Sequence, residues 1–249
     1  MSDHKESGLR YGMVIDLDKC TGCMACAVAC QQENNVSFRE DETNKLRSIT
    51  WLEVFYLDNG KPYPEHRKAY LPRPCQHCDS AHDSPCTVVC PVNATKRDEE
   101  HGLVNQIPVR CIGCRYCMAA CPYHARYFNW WDPHWPEPME EMLNPDVSPR
   151  MRGVVEKCTM CVHRLQRARD KAFMEGRREL HEGEYVPACV EACPTRAMTF
   201  GNLYDPESEV AKLAKSPYAF RLLASLGTEP KIIYLSTQEW IRKQADNVY

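Results

Sequence analysis

All sixteen cysteines of this 249-residue chain fall into four groups of four, and cysteine thiolates are strong ligands for soft metals and iron–sulfur centres. Groups one and three have the spacing C-x2-C-x2-C-x3-C, whereas groups two and four lengthen the middle interval to 7 and 27 residues. No cysteine is left over, which indicates four sites with four thiolate ligands each. The groups are Cys20, Cys23, Cys26 and Cys30; Cys75, Cys78, Cys86 and Cys90; Cys111, Cys114, Cys117 and Cys121; and Cys158, Cys161, Cys189 and Cys193.

The spacing of groups one and three is that of bacterial ferredoxins, in which the fourth cysteine of a group ligates a neighbouring cluster. A short C-x2-C-x2-C loop can place three thiolates on three corners of one cube, and the fourth cysteine begins a helix that leads away. Proline follows the last cysteine as Pro91, Pro122 and Pro194, whereas Gln31 takes that place in the first group. Proline turns the chain there and has no N–H to donate. The sequence therefore predicts four [4Fe–4S] clusters.

Other uses of cysteine fit the spacing less well. Zinc sites also use C-x2-C pairs, but they take two pairs per metal and give no reason for the C-x3-C-P ending. Disulfides are typical of small secreted scaffolds, and a spacing repeated four times favours a shared ligand instead. Haem attachment needs histidine after the C-x-x-C pair, where this chain has Met24, Asp79, Arg115 and Val162. A zinc-stabilised interaction module stays an alternative that iron analysis would separate.

The cysteine groups lie in a repeated frame of strand, cysteine loop, short helix and strand. Short apolar runs lead into each group, and strand candidates follow the Cys-Pro-x-x-Ala endings. His101 and Gly102 predict a hairpin turn between two of these strands. The frame predicts an α+β fold of two bacterial-ferredoxin-like modules, made of four cluster-binding repeats with loop and helical insertions. The approach runs are 13–17, 69–71, 104–109 and 154–155, and the following strands are 95–97, 126–130 and 198–201.

The modules are not contiguous in sequence. The predicted first module combines residues 11–32 and 153–202, the second comprises 69–130, and the segments 33–68 and 131–152 are insertions. Five prolines in the second insertion predict an extended surface arm. Within the first module, the stretch after His163 predicts a basic helix. Residues 203–249 form a C-terminal extension, with a helix predicted over 208–226 and a closing strand over 231–235.

Composition and charge exclude several classes of protein. The chain has 31 basic and 34 acidic residues, a net charge of −3, so it lacks the basic surplus typical of nucleic-acid binding. The N-terminus MSDHKESGLR has no apolar segment or twin arginine, and we expect no signal peptide. No stretch approaches the roughly 18 apolar residues of a membrane helix, so we expect the chain not to span a bilayer.

A few residues next to the cysteines could influence a bound cluster. His77 lies inside the second C-x2-C, and we expect it to contact protein groups or solvent rather than to ligate. His124 and His163 are interpreted in the same way. Lys157 and Arg115 flank cysteines, where a positive charge would raise a cluster potential unless the side chain is solvated.

The strings RCIGCRYCMAACPYHARYFNW and NPDVSPRMRGVVEKCTMCVHRLQ carry a resemblance to a known family. With four groups, of which the fourth is split by a long insert, the chain resembles the four-cluster iron–sulfur subunits of molybdopterin-type oxidoreductase complexes. Polysulfide, dimethyl sulfoxide and tetrathionate reductases contain such subunits. Within this family, these strings and the C-terminal part are most similar to the subunit of the menaquinone reductase complex of sulfate reducers. The resemblance covers residues 11–235.

The resemblance, rather than the spacing, implies which cysteines share a cluster. Pairing of group one with two and of group three with four is the alternative that the spacing leaves open. The implied ligands are Cys20, Cys23, Cys26 and Cys193 for cluster one; Cys158, Cys161, Cys189 and Cys30 for cluster two; Cys75, Cys78, Cys86 and Cys121 for cluster three; and Cys111, Cys114, Cys117 and Cys90 for cluster four.

The resemblance also implies partners. Cluster one would face a molybdopterin-oxidoreductase-like subunit, cluster four would face a polysulfide-reductase-type integral membrane quinone subunit, and a multihaem cytochrome c could belong to the complex. The expected role is electron transfer without a catalytic site in this chain, in a peripheral membrane subunit on the periplasmic face, with the cytoplasmic face as the alternative. A free soluble polyferredoxin is the alternative function.

Overall fold

The structure of the protein is a computed structural model, which describes residues 8–38, 49–81 and 83–245. Within the predicted insertion at 33–68, residues 39–48 lie outside the described residues, and so do residues 246–249 of the C-terminal extension. Ten strands and seven helices are found in the described part. The strands are β1 Tyr11–Asp16, β2 Glu53–Asp58, β3 Lys68–Arg73, β4 Thr95–Arg97, β5 Val104–Gln106, β6 Tyr127–Phe128, β7 Val155–Glu156, β8 Met198–Asn202, β9 Ala219–Phe220 and β10 Ile232–Leu235. The helices are α1 Ala25–Glu33, α2 Pro85–Val88, α3 Tyr116–Ala119, α4 Val162–Met174, α5 Ala188–Glu191, α6 Glu209–Ala214 and α7 Glu239–Lys243.

The repeated frame and the α+β class are confirmed. Each cysteine group is approached by a strand, β1, β3, β5 or β7, and contains a short helix, α1, α2, α3 or α5. The strands predicted after the Cys-Pro-x-x-Ala endings are β4, β6 and β8. These short elements leave most of the chain near the cysteines in loops, so ligand placement depends on loop conformation.

The largest sheet has the strand order β8-β1-β10-β9 and joins both ends of the chain. Strand β1 pairs antiparallel with β8, with Ile15 opposite Met198, which brings group one next to the end of group four. Strand β10 pairs parallel with β1, with Met13 opposite Ile232. The C-terminal extension is thus an integral part of the core sheet, where Ile232 and Tyr234 are fully buried.

Three two-stranded ladders complete the fold. Strands β4 and β5 form the hairpin predicted at His101 and Gly102, in which the Asp98 N–H donates to the Leu103 carbonyl at 2.7 Å. Strand β2, from the first insertion, pairs with β3. Strand β6, which follows group three, pairs with β7, which leads into group four. This last ladder connects the two predicted modules.

Several elements end earlier than predicted, including the strand expected over 126–130, which ends at Phe128. The helix expected over 208–226 covers only α6, because Pro217 cannot donate a helical hydrogen bond, and the following β9 pairs with β10 instead. Ser208 caps this helix by accepting a hydrogen bond from the Ala211 N–H at 3.2 Å. The strand expected over 104–109 ends at Gln106, and the segment that starts at Pro108 is a 3-10 turn.

The proline-rich insertion lies at the surface, as predicted, but it is not an extended arm. It folds back onto the segment after α1, where Trp135 is buried and donates its indole N–H to the Val36 carbonyl at 3.2 Å. The Asn35 side chain donates to the Asn144 carbonyl at 2.8 Å and accepts the Asn144 N–H at the same distance. Backbone groups on both segments are paired in this way, so the insertion packs as part of the fold.

Helix α4 is confirmed as the basic helix, with 13 residues, and is the longest helix in the described part. Among the described residues, no helix is both long enough and apolar enough to cross a membrane.

Candidate metal centres

Each C-x-x-C loop contains a left-handed residue directly before its second cysteine. These residues are Gly22, His77, Gly113 and Met160, with φ between 44° and 71°. The left-handed conformation turns the backbone, so that both thiols of the pair can point to one side of the loop. It is uncommon for residues other than glycine, which indicates that tertiary contacts hold His77 and Met160 in place.

Gly113 also permits a close backbone approach. A Cβ atom at this position would lie 2.3 Å from the Gly153 carbonyl oxygen, in the loop before β7. The third-group loop is therefore packed directly against the segment that leads into group four, and only glycine fits the contact.

We expect Gly113→Ala to displace the third-group loop, because it adds a backbone clash to the about 1–2 kcal/mol penalty of a left-handed alanine. The iron content should fall by about four atoms per chain, one cluster, and the thermal midpoint should fall. Gly60→Ala is the matched control, since Gly60 has a φ of 67° and open space around its Cβ position. Equal effects of the two substitutions on iron content would contradict the packing argument.

The Cys-Pro-x-x-Ala endings direct backbone N–H groups at the last cysteine of each group. The residue before the alanine is left-handed in all three, at Asn93, His124 and Arg196. This turn lets the Ala94 N–H donate to the Cys90 sulfur at 3.2 Å, and the Ala197 N–H to the Cys193 sulfur at 3.3 Å. Such donors stabilise a thiolate, so the motif prepares its cysteine to act as a ligand.

The structure brings cysteines of different groups together at two cavities. The wall of the first cavity contains one polar side chain, Asn34, whose amide lies 3.8 Å from the Cys30 sulfur and 3.7 Å from the Cys161 sulfur. The rest of that wall is apolar. Cys30, Cys158, Cys161 and Cys189 line the first cavity, and Cys90, Cys111, Cys114 and Cys117 line the second.

The remaining eight cysteines interact electrostatically as two further quartets. Burial and the nearby Cys20, Cys193 and Cys23 raise the pKa of Cys26 to about 11. Burial and the nearby Cys75, Cys121 and Cys86 likewise raise the pKa of Cys78. One quartet is thus Cys20, Cys23, Cys26 and Cys193, and the other is Cys75, Cys78, Cys86 and Cys121.

Electrostatic effects between thiols of different quartets place the quartets in an order, which we number one to four from the quartet of Cys20 to the quartet of Cys114. Burial is the largest cause of the raised pKa of Cys30, Cys158 and Cys117, and in each case a thiol of the adjacent quartet raises that pKa as well. Cys26 acts in this way on Cys30, Cys75 on Cys158, and Cys86 on Cys117. These pairs join quartets one and two, two and three, and three and four.

Exposure differs between the ends and the middle of this order. Cys23 in quartet one and Cys114 in quartet four are the two exposed cysteines. All eight cysteines of quartets two and three are buried. An interior pair of sites is therefore shielded from water, whereas each terminal site reaches the surface.

Burial and neighbouring thiols raise the pKa of Cys158 to about 12 and hold the pKa of Cys30 well above its usual value, so these two thiols are neutral before a metal binds. Cys90 and Cys193 differ, because hydrogen bonds from their endings outweigh the effect of burial and lower their pKa. Metal binding must therefore release protons from the buried thiols, which couples occupancy to pH.

His77 is not placed to be a metal ligand. It is fully buried, and its Nδ1 accepts the Val104 N–H at 3.0 Å. Its Nε2 must therefore carry the hydrogen, which it donates to the Cys158 carbonyl at 3.1 Å. Burial and then the nearby Lys157 hold the pKa of His77 well below its usual value, so the ring stays neutral. It contacts protein groups, as expected, and not solvent.

The other flanking residues divide between interior and surface. Lys157 is fully buried, so the solvated alternative is wrong for it. Arg115 is exposed, and its guanidinium lies 4.9 Å from the ring centre of Trp130 and 5.1 Å from that of Phe128. The His163 ring lies 2.6 Å from a Glu33 carboxylate oxygen, away from any cysteine ligand role.

Two residues that contact the thiols, Asn34 and Arg126, were not predicted from the sequence. Arg126 is 3% exposed, and its positive charge lowers the pKa of Cys117 against the larger effect of burial. It directly follows a Cys-Pro-x-x-Ala ending, where the other two endings have Thr95 and Met198. This departure from the repeat was the available signal for Arg126, whereas Asn34 had none.

The donor set fits an iron–sulfur cluster at each quartet. All sixteen cysteines are free thiols, and four of them meet at each site in largely apolar surroundings with N–H donors to sulfur. Among the described residues, Asp98, Glu100 and His101 also lie close enough together to hold a metal ion, but this group contains no cysteine.

Comparison with protein families identifies the type of cofactor. Residues 66–136 and 110–197 each match a 4Fe-4S dicluster domain, and residues 11–32 match a 4Fe-4S binding domain. These matches cover all four cysteine groups, so the chain binds [4Fe–4S] clusters and the zinc alternative is not supported.

Curated relatives match over nearly the whole chain. The iron–sulfur cluster-binding subunit of menaquinone reductase from Nitratidesulfovibrio vulgaris is 59% identical over 99% of this chain and 96% of its own length. Iron–sulfur subunit 1 of the Hdr-like menaquinol oxidoreductase from Archaeoglobus fulgidus is 40% identical, over 90% and 82%. The iron–sulfur subunit of arsenate respiratory reductase from a Shewanella species is 37% identical, over 91% and 96%.

Proposed function

The chain belongs to the family of iron–sulfur electron-transfer subunits of reductase complexes, and from this membership we propose that it holds four [4Fe–4S] clusters, one at each cysteine quartet. The resemblance inferred from its motifs is thereby confirmed at the level of the family. Our proposed ligand sets are those of the quartets, in which each group lends its last cysteine to a site of another group. The convergence of Cys30 with three cysteines of group four supports this pairing.

The observation that carries the proposed function is the exposure pattern of the quartets. A [4Fe–4S] cluster supplies one-electron chemistry when it is bound. The chain buries the two interior sites and exposes one cysteine, Cys23 or Cys114, at each terminal site. Such an arrangement suits a relay that exchanges electrons with one partner at each end and excludes water from the middle.

We propose that quartet one faces a molybdopterin-type or cytochrome partner and that quartet four faces a quinone-reactive membrane subunit on the periplasmic side. Apolar side chains around Cys114 support a partner at that end: Val109, Ile112 and Tyr116 are 82%, 64% and 65% exposed. Exposure of such an apolar patch to water is unfavourable, and contact with a partner would bury it. The names of the relatives associate the family with menaquinone and other respiratory reductases.

Purification from detergent-solubilised membranes tests the partner proposal. We expect the tagged chain to co-purify with an integral membrane quinone subunit and a molybdopterin-type or multihaem partner. Recovery of the chain alone from the soluble fraction would favour the free polyferredoxin instead.

Replacing Cys114 with serine in this complex should interrupt electron flow at quartet four. We expect quinone-linked turnover to fall at least about tenfold, because the terminal cluster loses or changes its coordination, while the other three clusters stay reducible. EPR of the reduced complex and quinone-linked activity are the two measurements. Tyr116→Phe, at the start of α3 on the same exposed surface, is the control and should keep both, because phenylalanine retains the apolar ring. A Cys114→Ser complex with a full EPR signal and full activity would contradict the assignment.

A further inference from the structure

In the part of the chain that the structure describes, six lysine and arginine side chains are buried, and two of them form no ion pair with an acidic residue. Arg10 and Lys231 share Asp79, while Arg73 pairs with Glu53, and Arg150 with Glu156. Within residues 8–38, 49–81 and 83–245, no carboxylate forms an ion pair with the two remaining cations. The buried set is Arg10, Arg73, Arg126, Arg150, Lys157 and Lys231, and the unpaired members are Arg126 and Lys157.

A buried charge without a counter-charge is strongly unfavourable. Arg126 and Lys157 must therefore be neutralised by something other than a carboxylate. Both lie beside cysteine quartets, and a cluster held by four thiolates carries negative charge, which is the type of counter-charge that the two positions lack.

Lys157 lies at the junction of quartets two and three. Its Nζ donates to the Cys158 carbonyl at 2.8 Å and to the Val104 carbonyl. His77, which lies between two cysteines of quartet three, donates to the same Cys158 carbonyl. The positive charge of Lys157 also lowers the pKa of Cys158, against the larger effects of burial and Cys75.

Arg126 lies at the junction of quartets three and four. One guanidinium nitrogen, Nη1, donates to Thr95 Oγ1 at 3.1 Å and to Gln106 Oε1 at 3.0 Å, which fixes the side chain. The second terminal nitrogen, Nη2, is buried and has no hydrogen-bond partner among the described residues. Burial lowers the pKa of Arg126, but thiols of both quartets raise it by more, so that the net shift is upward. The main contributors are Cys86 of quartet three and Cys117 of quartet four.

We propose that Arg126 and Lys157 are the counter-cations of the bound clusters, and that they make clusters two, three and four easier to reduce than these clusters would be without the two charges. Lys157 acts on clusters two and three, and Arg126 acts on clusters three and four. This inference rests on the proposed cluster sites. Reduction adds negative charge, so a fixed cation in a medium of low dielectric favours the reduced cluster. Among the residues that the structure describes, quartet one has no buried, unpaired cation beside it, so we expect neither Arg126 nor Lys157 to influence its cluster.

The experiment is an EPR-monitored redox titration of the cluster-loaded protein and its Arg126→Gln and Lys157→Gln variants. Each variant should shift two of the four one-electron steps to lower potential. At a fixed potential the reduced-to-oxidised ratio of each shifted cluster should fall at least tenfold, which is about 59 mV for one electron. The step of cluster three should shift in both variants, and that of cluster one in neither.

Charge-matched variants separate the effect of charge from damage to the fold. Arg126→Lys and Lys157→Arg should keep all four steps near their wild-type potentials. Arg177→Gln removes a surface charge that pairs only with Glu175 and Glu184 in the described part, and it should shift no step. If a glutamine variant does not load its clusters, Arg126→Met or Lys157→Met, which also removes the charge and keeps a long side chain, takes its place in the titration.

Three results would overturn the assignment. The first is a fully loaded glutamine variant with four unmoved steps, the second is an equal shift of all four steps, and the third is a charge-matched variant that shifts as far as the neutral one. Iron and sulfide analysis of the wild type keeps the two proposals apart. Fewer than about sixteen irons per chain would contradict the four-cluster proposal itself, whereas full loading with unmoved steps contradicts only the role of the cations.

Discussion

Replacing Cys30 and Cys189 together with alanine should remove one cluster, whereas replacing Cys30 and Cys86 together should damage two. Cys30 belongs to group one, but it lines the same cavity as Cys189 of group four. If these two cysteines ligate the same cluster, the double variant loses two ligands from one site. Cys86 belongs to quartet three, so the second double variant removes one ligand from each of two sites.

The number of intact clusters distinguishes the proposed pairing from its alternative. We expect the reduced Cys30→Ala, Cys189→Ala variant to show about three [4Fe–4S] spins per chain by EPR integration, and the Cys30→Ala, Cys86→Ala variant about two. If group one were paired with group two, Cys30 and Cys86 would share a cluster and the two results would be exchanged. The Cys30→Ala single variant is the control, because it should retain about three intact clusters under either pairing.

The local part of the site could be predicted from the sequence because its information is local. The C-x2-C spacing and the Cys-Pro-x-x-Ala ending each fix a turn within about six residues, and short-range turn geometry follows from residue type. The left-handed Asn93 and Arg196, with N–H groups directed at Cys90 and Cys193, are examples. The frame of strands around the groups was predictable for the same reason.

The order of the quartets could not be derived in this way, because it depends on contacts between distant segments. The alignment of Met13 with Ile232 and of Ile15 with Met198 brings three separate segments into one sheet. A strand of four apolar residues such as β10 has no sequence feature that names its partner. Only the resemblance to a family linked Cys193 to group one before the fold was known.

Buried charge was the second feature outside the reach of the sequence. Lys157 lies beside Cys158 in the sequence, yet adjacency does not reveal whether a lysine reaches water or an acidic partner. Its significance comes from the absence of a carboxylate around it among the described residues, which is a property of three-dimensional packing. The environment of Arg126 also depends on the fold, because its hydrogen-bond partners Thr95 and Gln106 precede it by 31 and 20 residues in the sequence.

Removing the clusters should abolish the cooperative unfolding of the whole chain. The main hydrophobic core includes cysteines of quartets one, two and three, so the core is built around the sites and not apart from them. Removing the clusters leaves cavities lined by buried thiols that no longer bind iron. It also releases cross-links between distant segments, such as the proposed one between Cys193 and group one, so the unfolded chain gains conformational entropy and the folded state becomes less stable.

The expected size of this effect exceeds what the remaining fold can supply. Structural metal sites contribute on the order of 10 kcal/mol to folding, and a typical domain is stable by only about 5–15 kcal/mol. With several such sites in 249 residues, the stripped chain should show no cooperative thermal transition by circular dichroism. The comparison is between anaerobic protein before and after cluster removal by chelation under oxidising conditions. Reconstitution with iron and sulfide should restore the transition, which excludes irreversible damage, and a stripped chain that melts cooperatively at the original midpoint would show that the polypeptide holds its fold without the clusters.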